Sequence, residues 1–351
     1  VLFQQALFEI PQRLRQIDVV VVRVFKPLHF VPQCVQLRGA MRAMLRYHGA
    51  IPLRAVAGWL GGSRKDGDTL QVETLVYAAG VQKLFVRAAD GTLYASAAEV
   101  SQSALNKAQQ DFRGLACTFA EDAYAVYPET LLFDNEVLTL PIMQESAIDL
   151  FAAQSGTGLE DLLRAFGYTA YTDFYTEQED RVRVFLDDTS TLRLSASGLV
   201  QYAAADGAGT IYAYEEGELE EDAMLDAQLD CARLILDAAQ RAGDTDTHAS
   251  LYAVERSGRQ TTLVFLQLYG GVPVLGDSDF ATFCFEGGAL HTATIRLRRF
   301  EATGEKEAVM PARQAAAGAS GALRSMMAAY REQNGRCVPA RYYLNAANAA
   351  E

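Results

Sequence analysis

The segment from residue 263 to residue 297 constrains the fold most, because short apolar runs alternate there with turns that contain glycine. Two of these turns, Gly276–Asp277 and Gly287–Gly288, interrupt the apolar runs, and glycine can take the positive φ of a tight turn without steric cost. Phe283 and Phe285 alternate with smaller side chains, which is typical of a strand with one buried face. The segment therefore predicts an antiparallel meander.

A long helix is predicted immediately before this meander, at Leu219–Arg241. Its apolar residues recur at helical spacing and predict a stripe that packs on the meander: Met224, Leu225, Leu229, Ala232, Ile235, Leu236 and Ala239. A shorter helix at Gly158–Phe166 precedes a second, smaller meander at Arg181–Tyr202. The same order of helix and sheet is thus predicted twice.

These patterns predict an α+β fold of successive antiparallel sheet modules with packed helices, and no doubly wound parallel sheet. The division is an N-terminal α+β domain at 1–140, a middle helix-plus-meander module at 141–216 and a C-terminal helix-plus-meander module at 217–351. Further helices predicted from apolar spacing and helix-forming composition include Val35–Tyr47, Glu145–Gln154 and Ala322–Gln333.

The net charge of −13 is distributed unevenly. Residues 1–65 carry ten basic and two acidic residues, a net +8, whereas the rest carries 21 basic and 42 acidic residues, a net −21. The basic end is either a solvated face or a surface for anionic lipid headgroups or an acidic partner, and the acidic remainder argues against nucleic acid as the ligand. The candidate membrane-surface residues are Arg13, Arg15, Arg42 and Arg46.

The residues that could carry chemistry are scattered. Ser278 lies in a Gly-Asp-Ser turn similar to that of one class of esterases, but His291 is the only histidine after it, and a serine nucleophile needs an oriented base. A hairpin turn is the favoured interpretation of the motif. The four histidines and five cysteines show no metal-ligand or disulfide spacing. The sequence therefore predicts no catalytic residue, no cofactor and no metal.

Aromatic residues crowd the predicted strand Thr169–Tyr175. Such residues favour strands because they fit a pleated face, and at high density they also form protein-binding surfaces. Both interpretations stay open, and the candidate interaction residues are Tyr168, Tyr171, Phe174 and Tyr175.

The meander at Arg181–Tyr202, with Arg-Val-Arg-Val-Phe-Leu-Asp followed by Thr-Leu-Arg-Leu-Ser, resembles the central module of the YycH/YycI accessory proteins of Gram-positive two-component systems. Gly271–Val274 and Ile295–Phe300 resemble the module that follows it. Val338–Tyr343 resembles the closing segment of that module, with Arg341 where a tryptophan is usual. The resemblance covers about residues 140–345.

The resemblance implies a non-catalytic extracytoplasmic regulatory protein, held at the cell membrane by an N-terminal anchor that would precede Val1. It implies contact with a membrane sensor histidine kinase, and with a related accessory protein, to modulate signalling. Two alternatives from other classes are a cell-envelope hydrolase that uses Ser278 or an acidic pair, and a module that binds a peptide or cell-wall fragment.

Overall fold

The structure, a computed structural model, describes most of the chain from residue 139 onward and shorter segments before it. The described residues are 26–28, 41–55, 70–78, 83–88, 92–97, 117–119, 131–133, 139–152, 157–205, 211–214, 221–245, 248–269, 272–276, 278–311, 314–315, 317, 323–333 and 335–345.

The N-terminal part forms an antiparallel sheet of five strands. In chain order these are β1 (Lys26–Leu28), β2 (Met41–Pro52), β3 (Gln71–Ala78), β4 (Lys83–Ala88) and β5 (Leu93–Ala97). Their spatial order is β1-β5-β4-β3-β2, so the three consecutive hairpins from β2 to β5 build the sheet. A separate two-stranded pair consists of β6 (Cys117–Phe119) and β7 (Leu131–Phe133).

The described residues from 139 onward contribute a sheet of thirteen strands and two helices. In chain order its elements are β8 (Thr139–Ala147), α1 (Thr157–Ala165), β9 (Phe174–Glu177), β10 (Val182–Leu186), β11 (Ser190–Ser195), β12 (Leu199–Ala204), α2 (Glu221–Gly243), β13 (His248–Ser257), β14 (Gln260–Tyr269), β15 (Val272–Leu275), β16 (Ala281–Glu286), β17 (Ala289–Arg296), β18 (Arg298–Ala308), β19 (Leu323–Gln333) and β20 (Arg336–Asn345).

The spatial order of the large sheet is β18-β8-β20-β19-β15-β14-β16-β17-β12-β11-β10-β9, and β13 pairs with β14 beside that path. Neighbouring strands are antiparallel except for a short parallel contact of β15 with β19. The predicted antiparallel character is therefore confirmed, and the chain is richer in sheet than the predicted α+β modules.

One core joins the two helices to the sheet. The buried residues of α2 include Leu225, Leu229, Ile235 and Leu236, and they belong to the same apolar cluster as Phe283 and other strand residues between 251 and 297. This confirms the predicted long helix and the face that it buries. Helix α1 packs against α2 in the same core, so both helices cover one face of the sheet. A second core lies near β18 and the last two strands.

Three predicted helices are wrong. Val35–Tyr47 was expected to be helical, but β2 begins at Met41; Glu145–Gln154 overlaps β8; and Ala322–Gln333 coincides with β19. Val35–Tyr47 and Ala322–Gln333 contain good helix formers, yet β2 pairs with β3, and β19 with β20, through most of their described residues. Of Glu145–Gln154, only Glu145–Ala147 belongs to β8, where these residues pair with β18, and the described residues that follow them form no helix. Tertiary pairing overrides a local preference of a few tenths of a kcal/mol per residue.

The two predicted C-terminal modules share one sheet. Strand β12 pairs with β17 from Leu199 against Arg296 to Ala203 against Thr292, so strands from before and after the predicted boundary at 216/217 belong to one sheet. Gly198 stands at this junction with φ of +76°, and a Cβ there would lie 2.2 Å from the Leu297 carbonyl oxygen. The division into three domains itself stays a prediction.

Candidate functional site

Strand β9 is the last strand of the large sheet on one side, and large apolar side chains are exposed around it. The exposed fractions are 97% for Tyr171, 53% for Phe174, 46% for Tyr175 and 41% for Leu186. These four residues are named the β9 edge surface. Three of them are among the interaction residues predicted from the sequence, and Leu186 is added by the structure.

Tyr168, the fourth predicted interaction residue, is wrongly assigned because it is buried. Gly167, two residues after the end of α1, is in the left-handed conformation, and the Tyr168 amide donates to the Leu163 carbonyl at 2.8 Å. This cap turns the following apolar side chain back onto the helix. The Tyr168 hydroxyl lies 2.7 Å from the Ser190 hydroxyl, and burial raises the pKa of Tyr168 to about 12. The Phe-Gly-Tyr sequence at a helix end is the signal that indicates this burial.

On one face of the sheet, Phe174 extends the core beyond the edge. Its ring lies 5.3 Å from the ring of Phe185, which is buried, and the Arg183 guanidinium lies 5.4 Å from the centre of the Phe174 ring. Arg183 also donates to the Phe151 carbonyl at 2.7 Å. Phe174 is therefore held in place from one side only, with the rest of the ring in solvent.

On the opposite face, Tyr175 lies beside an ion pair. Arg193 donates to both carboxylate oxygens of Glu177, at 3.1 and 2.6 Å, and this two-bond geometry fixes both side chains. Val184, fully buried, pairs with both Tyr175 and Arg193. Tyr175 and Arg193 therefore flank Val184 on this face. Their side chains are held by these contacts and do not move independently on the surface.

The backbone of β9 is paired on one side only, within the part of the chain that the structure describes. The Leu186 amide donates to the Asp173 carbonyl at 3.2 Å, and β9 and β10 are in regular antiparallel register. Hydrogen-bonded and non-hydrogen-bonded pairs alternate along such a ladder. The N–H and C=O groups of Phe174 and Thr176 therefore point away from β10, toward the outer edge of the sheet.

A second constellation surrounds Arg298, which is almost completely buried. Its Nε donates to Gln267 Oε1 at 3.1 Å, and its Nη1 lies 3.3 Å from Glu145 Oε2 and 3.6 Å from Glu332 Oε2. Burial raises the pKa of Glu145, and the charge of Arg298 opposes this shift. These contacts join β8, β14, β18 and β19, so we interpret the constellation as part of the packing of the sheet.

The residues considered for catalysis do not come together. Ser278 is exposed just before β16, near the end of the β16–β17 hairpin where Ala281 pairs with Ile295. His291 lies four residues before Ile295 on β17, a rise of about 13 Å along the strand. Burial raises the pKa values of Cys231 and Cys337 to about 11, which keeps both thiols protonated and poorly nucleophilic.

Two further predictions concern metal binding and the membrane surface. Among the described residues, no group of three His, Cys, Asp or Glu side chains could hold a metal ion. Arg13 and Arg15 lie outside the described residues, while Arg42 and Arg46 lie on β2 with side chains that are likewise outside them. No helix in the described segments is long and apolar enough to cross a membrane. The membrane-surface assignment stays a prediction.

The fold is similar to that of YycH from Bacillus subtilis, as seen in its crystal structure. The TM-score is 0.52 at 14% sequence identity, and the similarity covers 95% of this chain and 90% of the YycH chain. No protein-family model matches the sequence, and no curated protein matches it. The resemblance predicted from residues 140–345 is thus confirmed for the fold, over a larger part of the chain.

Proposed function

We propose that this protein is a non-catalytic extracytoplasmic regulator that is anchored at the cell membrane. In this proposal it contacts a membrane sensor histidine kinase, together with a related accessory protein, and modulates two-component signalling. The YycH-like fold supports this role by similarity. The motifs at Arg181–Tyr202, which resemble those of the YycH/YycI accessory proteins, support it separately. A fold alone does not determine a function, so the proposal needs a surface that could contact a partner.

The observation that carries the proposal is the β9 edge surface. Exposed apolar side chains that lie close together mark interaction sites, and tyrosine is among the residues that most often dominate the binding energy of an interface. Phe174 and Tyr175 are exposed on opposite faces of one edge strand, so a partner that binds at this edge contacts both. Phe174 and Tyr175 are fixed by Phe185, Arg183 and Glu177, so little side-chain freedom is lost when a partner binds.

Membrane anchoring lets a weak interface suffice. Two proteins held in the same membrane meet at a high effective concentration, which raises the occupancy of a contact without strengthening it. We therefore expect the isolated domain to bind the ectodomain of its partner poorly, and the anchored form to co-purify with it.

The test is affinity purification of the full-length protein from its own membranes in mild detergent, followed by identification of co-purifying membrane proteins. We expect a sensor histidine kinase with the wild type and a strong loss of it with Tyr171→Ser combined with Tyr175→Ser. The matched control is Tyr212→Ser. Tyr212 is also an exposed tyrosine, but it forms a backbone β-bridge with Ala289 of β17 and does not lie on the β9 edge surface. If the wild type brings down no sensor kinase, the proposal is wrong.

A further inference from the structure

We propose that β9 receives an extended segment of the partner protein as an additional strand, and that this segment carries apolar residues together with lysine or arginine near its ends. This inference rests on the proposed function, because it specifies how the regulator would dock its partner. It concerns the backbone of β9 as well as the side chains around it, and so it predicts effects that a side-chain patch alone would not produce.

The backbone geometry of β9 fits strand addition. Phe174 and Thr176 direct two N–H and two C=O groups outward, as their register with β10 requires. An exposed sheet edge of this kind is a template for another strand, with main-chain hydrogen bonds supplying affinity and side-chain contacts supplying specificity. The four residues of Phe174–Glu177 are sufficient to pair with a segment of similar length.

The strand at the other end of the large sheet, β18, has features that discourage the addition of another strand. Strand β18 exposes the charged residues Glu301, Glu305, Lys306 and Glu307, and its register with β8 is interrupted between Ala302 and Lys306. Charges and irregular pairing are the common means by which proteins protect a sheet edge. Strand β9 instead presents Phe174, Tyr175 and Thr176 in regular register, so the two ends of the sheet are not equivalent.

The charges around β9 indicate the chemistry of the incoming segment. Of the nearby arginines, Arg181 pairs with Asp149 and Arg193 with Glu177, while Arg183 donates to the Phe151 carbonyl and lies over the Phe174 ring. Asp173, Glu179 and Asp180 are exposed at the two ends of the strand, and none of them forms an ion pair with another described residue. A partner segment with basic residues near its ends would be attracted to these carboxylates.

A second copy of this chain fits less well. If two copies paired antiparallel through their outward groups, Phe174 of each would face Thr176 of the other, and Asp173 would then face Glu177. Like charges placed directly opposite one another destabilise a strand pair, and the acidic turn at 177–180 would add to the repulsion. Charge complementarity therefore favours a basic partner segment over self-association.

The decisive variant is Thr176→Pro, because proline removes an N–H that points to the outer edge and leaves the pairing with β10 intact. The control is Thr176→Val, which keeps the N–H and the strand preference. Two labelled decapeptides serve as probes, one alternating valine with lysine and the other alternating valine with glutamate, and fluorescence anisotropy at low salt reports their binding. We expect the lysine peptide to bind wild type and Thr176→Val, and roughly tenfold or more weaker binding by Thr176→Pro.

Hydrogen exchange on the wild-type protein gives an independent measurement in case Thr176→Pro unfolds. The amides of Phe174 and Thr176 should become protected when the lysine peptide binds, because strand addition engages them directly. Unchanged exchange at both amides, equal binding of the two peptides, or full binding by Thr176→Pro would overturn the inference. A dimer in sedimentation that Thr176→Pro abolishes would show that a second copy occupies the edge.

The two proposals fail separately. If a sensor kinase co-purifies with wild type and with Thr176→Pro but is lost with Tyr171→Ser and Tyr175→Ser, strand addition is wrong and the regulatory contact stands. If no kinase co-purifies but the lysine peptide binds in the expected manner, the docking edge stands and the proposed function is wrong.

Discussion

Leu229 shows how a single residue links the long helix to the sheet. It is 2% exposed on α2 and belongs to the core that contains Phe283. Replacement by alanine should lower the free energy of unfolding by about 2–5 kcal/mol, since it removes buried methyl groups and leaves a cavity. The measurement is chemical denaturation, and Leu234→Ala is the control because Leu234 is exposed on the same helix. A Leu229→Ala variant as stable as wild type would place this face of α2 outside the core.

Asp187 gives a residue-scale prediction that depends on pH. Burial tends to raise the pKa of this carboxyl, but hydrogen bonds from the amides and hydroxyls of Thr189 and Ser190 outweigh it, so the net shift of the pKa is downward. A depressed carboxyl pKa stabilises the fold above the unfolded pKa of about 3.9, and this contribution is lost as the pH falls through the folded pKa.

Asp187→Asn should therefore be less stable than wild type at pH 7, and the difference should shrink between about pH 5 and pH 3. Urea denaturation of both proteins across this range measures the difference directly, and acid effects common to both proteins cancel. A difference that stays constant or grows toward low pH would show that the charge of Asp187 does not hold the β10–β11 turn.

At the scale of elements, an ion pair docks the N-terminal sheet on α2. Arg54 follows β2, and its Nε lies 2.8 Å from Asp226 Oδ2 with both side chains largely buried. Removing one partner of a buried pair leaves the other charge uncompensated, so Arg54→Ala or Asp226→Ala should destabilise the protein by about 3–5 kcal/mol. The double variant Arg54→Met with Asp226→Leu should recover most of that stability, because apolar residues of similar size avoid the desolvation cost.

A double-mutant cycle by thermal or chemical denaturation checks this coupling. Effects that are simply additive would mean that Arg54 and Asp226 do not act as a pair, and that the N-terminal sheet docks through apolar contacts such as those of Ile51 and Leu53 alone.

The elements that the sequence predicted well are those whose partners are near in the chain. The β10–β12 meander and the α2 stripe follow from periodicity and turn residues, because hairpins and helices form from local contacts. The last residues of β8 were predicted as the start of a helix, since their partner strand β18 lies about 160 residues later in the chain. Strand β19 is an exception: its partner β20 follows it directly, and it was predicted as a helix because its composition favours helix.

The candidate site was predictable in the same limited sense. Aromatic density indicated Phe174 and Tyr175, but their position at a sheet edge depends on β9 being the last strand, which is a property of the whole topology. Leu186 was missed because it lies in an alternating strand like its buried neighbours. Tyr168 was wrongly included because a tyrosine buried after a helix end looks the same in the sequence as a tyrosine exposed on a strand.

At the scale of the whole molecule, the basic residues of the first 65 positions do not all have one role. Arg54 is occupied by Asp226 in the interior, so it cannot contribute to a charged surface. The remaining basic residues still oppose an acidic remainder of net −21, and such an asymmetry would orient the protein at an anionic membrane. The orientation would direct the acidic part, including β9, away from the headgroups.

This orientation makes a prediction for lipid binding. The chain should sediment with vesicles of mixed anionic and zwitterionic phospholipid at low salt and be released as salt rises, because each basic residue near an anionic surface gains up to about 1 kcal/mol within a Debye length of about 10 Å. Arg42→Glu with Arg46→Glu, and Arg13→Glu with Arg15→Glu, should each reduce the bound fraction severalfold while leaving the melting temperature unchanged.

The matched control reverses the same charge elsewhere: Arg256→Glu with Arg259→Glu alters two exposed arginines of the β13–β14 hairpin. If only net charge mattered, this pair would weaken vesicle binding as much as the N-terminal pairs, and an oriented basic end would be wrong. If the wild type ignores anionic vesicles at low salt, the basic residues are a solvated face. If only the N-terminal pairs reduce the fraction bound to vesicles, the position of the charges, rather than the net charge, determines how the molecule lies on the membrane.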